Sequence, residues 1–237
     1  MTNTTRTAVC VPAAGRGERL GPGSPKALRD LGGTPILVHS VRAMSRARGV
    51  DLVVVAAPAD QVDQVRALLA GTVEDAAVTV VSGGDTRQES VARSLLALPA
   101  DVDIVLVHDA ARPLVPVEVI ERVIHAVRGG HRAVVPVVAV VDTVKQVDAE
   151  GVVVATHDRV QLRAVQTPQG FDRETLQQAH ATAEVDDVSD DAGLVERLGI
   201  DVWTVPGHEE GFKITRPLDL VLAEAILSRR RARGDIT

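Results

Sequence analysis

Short β-branched runs alternate with stretches of helical periodicity along most of the chain, and this alternation limits the possible folds more than any other feature. Strands are predicted over residues 7–11, 51–56, 78–81, 104–107 and 133–135, and helices over 36–47, 60–69, 87–96 and 117–128. Such a rhythm is typical of an α/β, Rossmann-like fold, with a mostly parallel sheet and helices on both faces. Ligands of these sheets bind beyond the carboxyl ends of the strands.

The loop after the first predicted strand combines small residues with positive charge. Pro12 is followed by a stretch rich in glycine and alanine, and the loop carries Arg16, Arg19 and Lys26. Glycine and alanine allow an anion to approach backbone N–H groups closely, and the cations add fixed charge. We therefore interpret the loop as a binding site for a nucleoside triphosphate. An ordinary glycine-rich turn is the alternative, but the arginines and the Pro25–Lys26 ending favour phosphate.

Two familiar glycine loops fit this segment poorly. In the dinucleotide-binding pattern, Leu20 stands at the third glycine position and Arg19 would crowd the start of the helix. The Gly-Lys-Ser/Thr ending of the Walker loop is also missing. A dinucleotide-dependent oxidoreductase is therefore a distant alternative.

Two later loops are predicted to reach the same edge of the sheet. Gly84 and Asp85 follow the third strand, where Thr86 and Glu89 form a capping box for the next helix. Asp109 follows the fourth strand. An isolated aspartate there often caps a turn, but beside a triphosphate loop it suits Mg²⁺, which is usually held by one or two carboxylates plus phosphate oxygens.

The roles of the residues beside Asp109 are less clearly indicated by the sequence. Arg112 is suited either to pair with Asp109 or to contact a second phosphate, and His108 is expected to be structural.

Lysine is rare in this chain. The sequence contains 23 arginines but only the lysines Lys26, Lys145 and Lys213, which suggests that these three positions need a compact ammonium group.

The rhythm breaks after residue 136. Residues 137–147 and 152–155 are β-branched on both faces and are joined by a turn, 148–151, that ends in glycine. A hairpin that is apolar on both faces needs to be covered, either by its own domain or by another copy of the chain. We expect a projecting β-hairpin arm at 137–160 that packs in a homodimer.

The remaining third is predicted as a loop at 166–171, a helix at 173–184, a helix to 198 capped by Ser189 or Asp190, a strand at 202–205 and a last helix from Pro217 to about 233. The acidic residues of 186–191 do not match an EF-hand loop and indicate a solvated turn. The arginines between 229 and 233 suit the solvated end of the last helix.

Composition restricts partners and location. The net charge is −6 and aromatic residues make up 1% of the chain, which disfavours nucleic acid as a partner. No apolar run approaches the roughly 20 residues of a membrane span, residues 1–7 lack the apolar core of a signal peptide, and the single Cys10 lies inside a predicted strand. We expect one cytoplasmic domain, 1–237, without a membrane. The absence of a nucleophilic or metal–histidine constellation suits phosphoryl or nucleotidyl transfer.

Several segments together carry a family resemblance, in order and over nearly the whole chain. They are Pro12-Ala-Ala-Gly-x-Gly-x-Arg19 with Pro25-Lys26, Gly83-Gly84-Asp85-x-Arg87-x-x-Ser90-Val91, His108-Asp-Ala-Ala-Arg-Pro113, Asp142-Thr143-x-Lys145, Arg159, Gln166-Thr-Pro-Gln169 and Lys213-Ile-Thr-Arg-Pro217. The combination resembles the 2-C-methyl-D-erythritol 4-phosphate cytidylyltransferases of non-mevalonate isoprenoid synthesis.

The resemblance implies Mg²⁺-dependent transfer of CMP from CTP to methylerythritol phosphate, with release of pyrophosphate. It implies nucleotide-binding roles for Ala13, Ala14, Gly15, Gly84, Asp85, Ser90 and Ala110. It implies catalytic roles for Arg19, Lys26, Arg159 and Lys213. Substrate contacts are implied for Asp109, which also holds the metal, and for Arg112, Thr143, Arg159, Thr167, Ser189 and Lys213. Thr143 and Arg159 would come from the partner's arm.

Two departures and two alternatives accompany this resemblance. Ser189 stands where threonine is expected, and Gly211-Phe212 replaces a pair that is commonly more polar. A cytidylyltransferase for another alditol phosphate, such as ribitol 5-phosphate, shares much of the motif set. A non-catalytic nucleotide-binding regulator is the alternative from a different class, disfavoured because the cations and Asp109 are all present.

Overall fold

A mixed, mostly parallel sheet forms the centre of the computed structural model, which describes residues 5–15, 25–73, 75–183 and 189–234. The described strands are β1 Arg6–Pro12, β2 Asp30–Leu31, β3 Thr34–Pro35, β4 Leu52–Ala57, β5 Ala77–Ser82, β6 Val102–Val107, β7 Ala133–Ala139, β8 Lys145–Val147, β9 Val153–Thr156, β10 Arg163–Val165, β11 Gln169–Asp172 and β12 Trp203–Pro206. The described α-helices are α1 Ile36–Ser45, α2 Val62–Leu69, α3 Arg87–Leu96, α4 Val117–Arg128, α5 Arg173–Thr182, α6 Asp191–Arg197 and α7 Pro217–Arg233.

The order of strands in the sheet is β10-β7-β11-β6-β1-β4-β5, and β12 also pairs with β7. Strands β6, β1, β4 and β5 are parallel neighbours, whereas β11 runs antiparallel to both β6 and β7. Val137 pairs with Val165 of β10 and with Pro206 of β12, so these two strands lie on opposite edges of β7. The predicted mostly parallel sheet is confirmed.

Helices cover both faces of this sheet because its central strands are apolar on both sides. Val9 and Val53 belong to a buried cluster with side chains of α1, α2 and α4. Their neighbours Cys10 and Val54 face the other way and pack with α3, α5 and α6. In the described part of the chain, no helix is both long and apolar enough to cross a bilayer.

The antiparallel part of the sheet differs from the sequence prediction. β7 continues to Ala139, so residues 137–139 belong to the main sheet and not to the arm. The predicted loop at 166–171 is wrong in part, because Gln169–Asp172 forms β11 between β6 and β7. The 137–139 run joins the sheet because it gains partners on both edges, from strands that lie far away in sequence.

The predicted hairpin is present but short. β8 and β9 form a separate antiparallel pair with a register shift between Gln146 and Val147, and Gly151 adopts a φ of +87° in the turn. The valines of this hairpin are exposed, among them Val153 and Val154. The hairpin therefore carries apolar surface that this chain does not itself cover.

Helix starts are only partly as predicted. Thr86 caps α3 by accepting from the Glu89 N–H, but the Glu89 carboxylate accepts from the N–H of Asp85 instead of Thr86. Thr34 and Pro35, directly before the predicted helix at 36–47, form β3, and α1 starts without a side-chain cap. Asp190 caps α6, as one of the two predicted alternatives.

Candidate active site

A cavity of about 280 Å³ lies at the carboxyl ends of the parallel strands. Three chain segments that follow β1, β5 and β6 meet there, together with the segment before α7. The predicted site residues that line it are Ala13, Ala14, Gly15, Lys26, Gly84, Asp85, Ser90, Asp109, Ala110 and Lys213. The predicted convergence of these loops on one rim of the sheet is confirmed.

Close packing fixes the two glycine-bearing loops against each other. The N–H groups of Ala13 and Gly83 donate to the carbonyls of Ala56 and Ala57, at 2.8 and 2.7 Å. A Cβ atom at Gly83 would lie 2.5 Å from the Cβ of Ala14. Only glycine leaves room for this approach of the two loops.

The hydroxyl of Ser90 forms hydrogen bonds with the backbone of the second loop. It accepts from the N–H of Gly84 at 3.1 Å and donates to the carbonyl of Thr86 at 2.9 Å, and the side chain is buried. The hydroxyl is therefore engaged in holding the backbone of the loop that lines the cavity.

Gly84→Ala is expected to deform this loop. The added Cβ would lie 2.2 Å from the Cβ of Glu89, so the loop must move away from α3. We expect a loss of affinity of about tenfold or more for CTP, the nucleotide that the family resemblance implies, since such overpacking typically costs about 1–3 kcal/mol. Calorimetric titration measures the affinity. Gly129→Ala, after α4, is the control and should bind CTP like the wild type; equal affinity in Gly84→Ala would contradict the prediction.

Three cations surround the negatively charged carboxylate of Asp109. Its Oδ2 lies 2.9 Å from Lys213 Nζ and 3.6 Å from Arg112 Nε, and its Oδ1 lies 3.3 Å from Arg87 Nε. Burial favours the protonated acid, but the charges of Arg87 and Lys213 outweigh it and hold the pKa of Asp109 well below its usual range. The carboxylate is therefore ionised at every pH at which an assay would be run.

Arg112 is held beside this carboxylate by backbone groups. Its Nη1 donates to the carbonyl of Gly211 at 2.8 Å, and its Nη2 to that of Val165 at 3.4 Å. Burial lowers the pKa of Arg112, which the negative charge of Asp109 partly offsets. Of the two possibilities open from the sequence, the structure shows the pair with Asp109.

Thr167 and His108 hold the backbone of the same strand end. The N–H of Asp109 donates to Thr167 Oγ1 at 3.0 Å, and this hydroxyl lies 3.0 Å from His108 Nδ1. His108 Nε2 lies 3.2 Å from the carbonyl of Arg112. Burial lowers the pKa of His108 to about 4, so the neutral ring bridges the hydroxyl and the carbonyl. The structural role expected for His108 agrees with these contacts.

An ion-pair network that the sequence does not predict lies beside the cavity. Arg87 Nη1 lies 2.6 Å from Asp191 Oδ2, and Asp191 Oδ1 lies 2.9 Å from His180 Nε2. Asp191 is 1% exposed, so the expectation of a solvated acidic turn is wrong at this residue. Burial disfavours its charge, yet Arg87 and the bond from His180 lower its pKa. Burial likewise opposes the charge of Arg87, but both carboxylates raise its pKa.

Some predicted site residues do not line the cavity. Thr143 and Arg159 are exposed on and beside the arm, and Arg159 donates to the carbonyl of Val141. Ser189 is exposed next to the start of α6, and Thr167 is buried beneath Asp109. Arg19 lies outside the described residues.

The site residues that sequence reasoning missed are Arg87 and Thr215, which both line the cavity. Arg87 stands inside one of the motifs that carry the resemblance, and Thr215 follows Lys213 in the last of these motifs. The signal for Arg87 is its place in the motif that also carries Gly84 and Asp85, at the start of α3.

Comparison with known proteins identifies the family. The model of the 2-C-methyl-D-erythritol 4-phosphate cytidylyltransferases matches residues 7–229. The chain belongs to this family. Enzymes of that name from Streptomyces coelicolor and Rhodococcus jostii are similar to it, with 62% identity over 95% of this chain and 86% of the relative, and 52% identity over 92% and 93%.

Solved structures of family members have the same fold. The 4-diphosphocytidyl-2C-methyl-D-erythritol synthase of Anaerococcus prevotii superposes with a TM-score of 0.83 at 28% identity, covering 95% of this chain and 99% of that one. The cytidylyltransferase of Thermus thermophilus gives 0.74 at 38% identity, covering 94% and 98%. The cavity thus lies in a nucleotidyltransferase fold.

Proposed function

We propose that this chain transfers CMP from CTP to 2-C-methyl-D-erythritol 4-phosphate, a step of isoprenoid precursor synthesis. A phosphate oxygen of the acceptor attacks the α-phosphorus of CTP, the bond from that phosphorus to the β-phosphate bridging oxygen breaks, and pyrophosphate leaves with the bonding electrons. The observation that carries the proposal is the gathering of Lys26, Lys213 and Asp109 in one cavity beside loops of small residues. Membership of the family supports the choice of acceptor.

The chemistry explains why cations must gather there. Both substrates are anions, so their repulsion is a large part of the barrier to an in-line reaction. Fixed cations in a preorganised site offset it most where charge develops. We assign Lys26 and Arg19 to the α-phosphate, and Lys213 and Arg112 to the side of the acceptor.

Small residues are assigned to the nucleotide. Ala13, Ala14 and Gly15 line the cavity after β1, Gly84, Asp85 and Ser90 line it after β5, and Ala110 lines it after β6, on the other side of β1 from β5. The short side chains leave the backbone N–H groups of these loops within reach of phosphate and base. Thr167 and Ser189 are assigned to the acceptor, Thr167 through its hold on Asp109.

Mg²⁺ is the metal that we assign to this site. Asp109 presents an ionised carboxylate to the cavity, and among the described residues no cluster of three His, Cys, Asp or Glu side chains competes for a metal. One carboxylate completed by phosphate oxygens is a usual donor set for Mg²⁺, so the residues fit. When bound, the ion would neutralise charge on the phosphates. The cytoplasmic location remains a prediction from the sequence.

A homodimer completes the proposed site. The hairpin exposes Val147, Val152, Val153 and Val154, each more than half accessible. Apolar residues in such number on one hairpin are typical of an interaction surface. We assign this surface to a second copy of the chain, whose arm would bring Thr143 and Arg159 to the cavity.

Val154→Asp is expected to break this dimer. A buried, unpaired carboxylate in the interface costs several kcal/mol, so the variant should sediment as a monomer at micromolar concentration. The acceptor would then lose Arg159, and we expect turnover to fall by roughly 10²-fold. Leu96→Asp changes a residue that is 86% exposed on α3 and should leave both unchanged. A wild-type chain that sediments as a monomer would contradict the proposal.

Release of pyrophosphate tests the function directly. The purified chain with Mg²⁺ and CTP should release pyrophosphate with 2-C-methyl-D-erythritol 4-phosphate and much more slowly with ribitol 5-phosphate. The reverse preference would assign the chain to another alditol phosphate. CTP binding without release on either acceptor would mean a regulator.

A further inference from the structure

Arg87 joins two carboxylates from different parts of the fold. It is the first residue of α3, and its Nε lies 3.3 Å from Asp109 Oδ1 in the cavity. Its Nη1 lies 2.6 Å from Asp191 Oδ2. Two separate nitrogens of one planar guanidinium therefore face two separate carboxylates, a contact that lysine cannot reproduce.

Asp191 is a fixed anchor. It is the first residue of α6, its side chain is 1% exposed, and its second oxygen lies 2.9 Å from His180 Nε2 of α5. The residue before it, Asp190, accepts from Gln169 Nε2 of β11 at 2.6 Å. The start of α6 is thus held by both α5 and the sheet, and Asp191 does not line the cavity.

Among the described residues, no second ion pair to a buried carboxylate anchors Asp109 in this way. Its side chain contacts Lys213, which is 36% exposed, and Arg112, whose Nε is 3.6 Å away and has no hydrogen-bond partner among the described atoms. Both of these cations are assigned to substrates, and Lys213 is accessible enough to turn toward a phosphate. Of the three cations around Asp109, Arg87 is the one that also pairs with a buried carboxylate, through its Nη1 and Asp191.

We propose that Arg87 is a positioning residue that ties the Asp109 carboxylate to the anchored start of α6. The tie keeps Asp109 in place when Lys213 turns to a substrate phosphate. It also links Asp109 to the segment that carries Ser189, two residues before Asp191, so that two groups assigned to the acceptor keep a fixed separation. The inference rests on the proposed function and goes beyond it by assigning roles to Arg87, Asp191 and His180.

Asp191→Asn is the decisive variant, because it changes a residue outside the cavity and keeps the bond to His180. Arg87→Lys keeps the positive charge but reaches only one carboxylate. Both should lower kcat/KM for the acceptor by about 10–100-fold, the usual effect of losing a residue that orients a metal-holding group. The KM for the acceptor should rise more than the KM for CTP, a split that partial unfolding would not produce.

The double variant tests whether Asp191 acts through Arg87. In the Arg87→Lys background the bridge is already lost, so adding Asp191→Asn should change kcat/KM by less than threefold. Two independent effects would instead multiply. Thermal unfolding checks that each variant is folded at the assay temperature, and Arg6→Lys, which alters an exposed ion pair with Asp101 at the other end of β1, should behave like the wild type.

Calorimetry with CTP gives a readout that needs no turnover. With Mg²⁺ present, Asp191→Asn and Arg87→Lys should bind CTP about tenfold more weakly than the wild type, and in EDTA all variants should bind alike. A wild type that binds CTP but transfers CMP to no acceptor would contradict the proposed function, and the binding comparison would still decide the role of Arg87. Wild-type affinity with Mg²⁺ in Asp191→Asn would overturn the inference, as would multiplying effects in the double variant.

Discussion

Lys26→Ala is expected to lower kcat by about 10²–10³-fold and to leave the chain folded. Lys26 begins a short 3₁₀ helix, Lys26–Leu28, at the end of the first glycine-bearing loop, and it lines the cavity together with Asp85 and Arg87. Removal of one preorganised donor from a developing charge has an effect of this size in other enzymes.

We expect so large an effect because the positive charge of Lys26 already lies at the cavity before the reaction. Lys26 is partly buried, and Pro25 sets the backbone just before it. A cation that is already present in the cavity needs less reorganisation than solvent does when charge develops on the α-phosphate. Lys26→Ala should lower kcat much more than it raises the KM for CTP, because the interaction is strongest in the transition state.

Two companion variants make this result specific. Lys26→Arg keeps the charge but replaces a compact ammonium group with a planar fork, so partial activity is expected. Arg66→Ala removes a cation from α2 that pairs with Asp63 at the surface, and it should leave kcat unchanged. Near-normal turnover of Lys26→Ala would remove Lys26 from the catalytic assignment.

Local sequence patterns predicted the parallel half of the sheet well. The runs that became β1, β4 and β6 are apolar on both faces, and a buried parallel strand needs that composition whatever its neighbours are. The antiparallel half depends on partners far along the chain. Whether Gln169–Asp172 is a loop or a strand is decided by its pairing with β6 and β7, which no local pattern encodes.

The candidate site shows the same division. The ends of β1, β5 and β6 must meet because parallel strands share one edge, so the gathering of Ala14, Gly84 and Asp109 was predictable. The pair of Arg87 and Asp191 joins residues 104 positions apart. It requires α6 to start against α3, and an acidic run in the sequence gives no sign of which carboxylate will be buried.

Asp109→Asn is expected to have the second large effect, a loss of kcat of about 10³-fold together with a loss of stability. Asparagine keeps the shape but removes the charge that is to hold Mg²⁺, an interaction worth several kcal/mol in such sites. It also leaves Arg87, Arg112 and Lys213 around a neutral side chain.

The free energy of unfolding should fall by about 2–3 kcal/mol at pH 7, less than the roughly 3–5 kcal/mol of a broken buried pair. The expected loss is smaller than for a fully broken pair because Arg87 stays paired with Asp191 and Lys213 is partly exposed to solvent. The pKa of Asp109 is lower in the folded chain than in the unfolded chain. Its stabilisation is therefore complete above about pH 4 and is lost as the pH falls toward the folded pKa.

Urea unfolding of wild type and Asp109→Asn at several pH values tests this sign, since the two curves should differ at pH 7 and converge in acid. Asp103→Asn is the matched control, because Asp103 lies on the same strand β6 but is exposed and accepts from the N–H of Arg6 at 3.0 Å. A constant difference between wild type and Asp109→Asn down to pH 3 would show that the ionised carboxylate does not stabilise the fold. Full turnover in Asp109→Asn would show that the reaction does not need the charge on which the cations of the cavity converge.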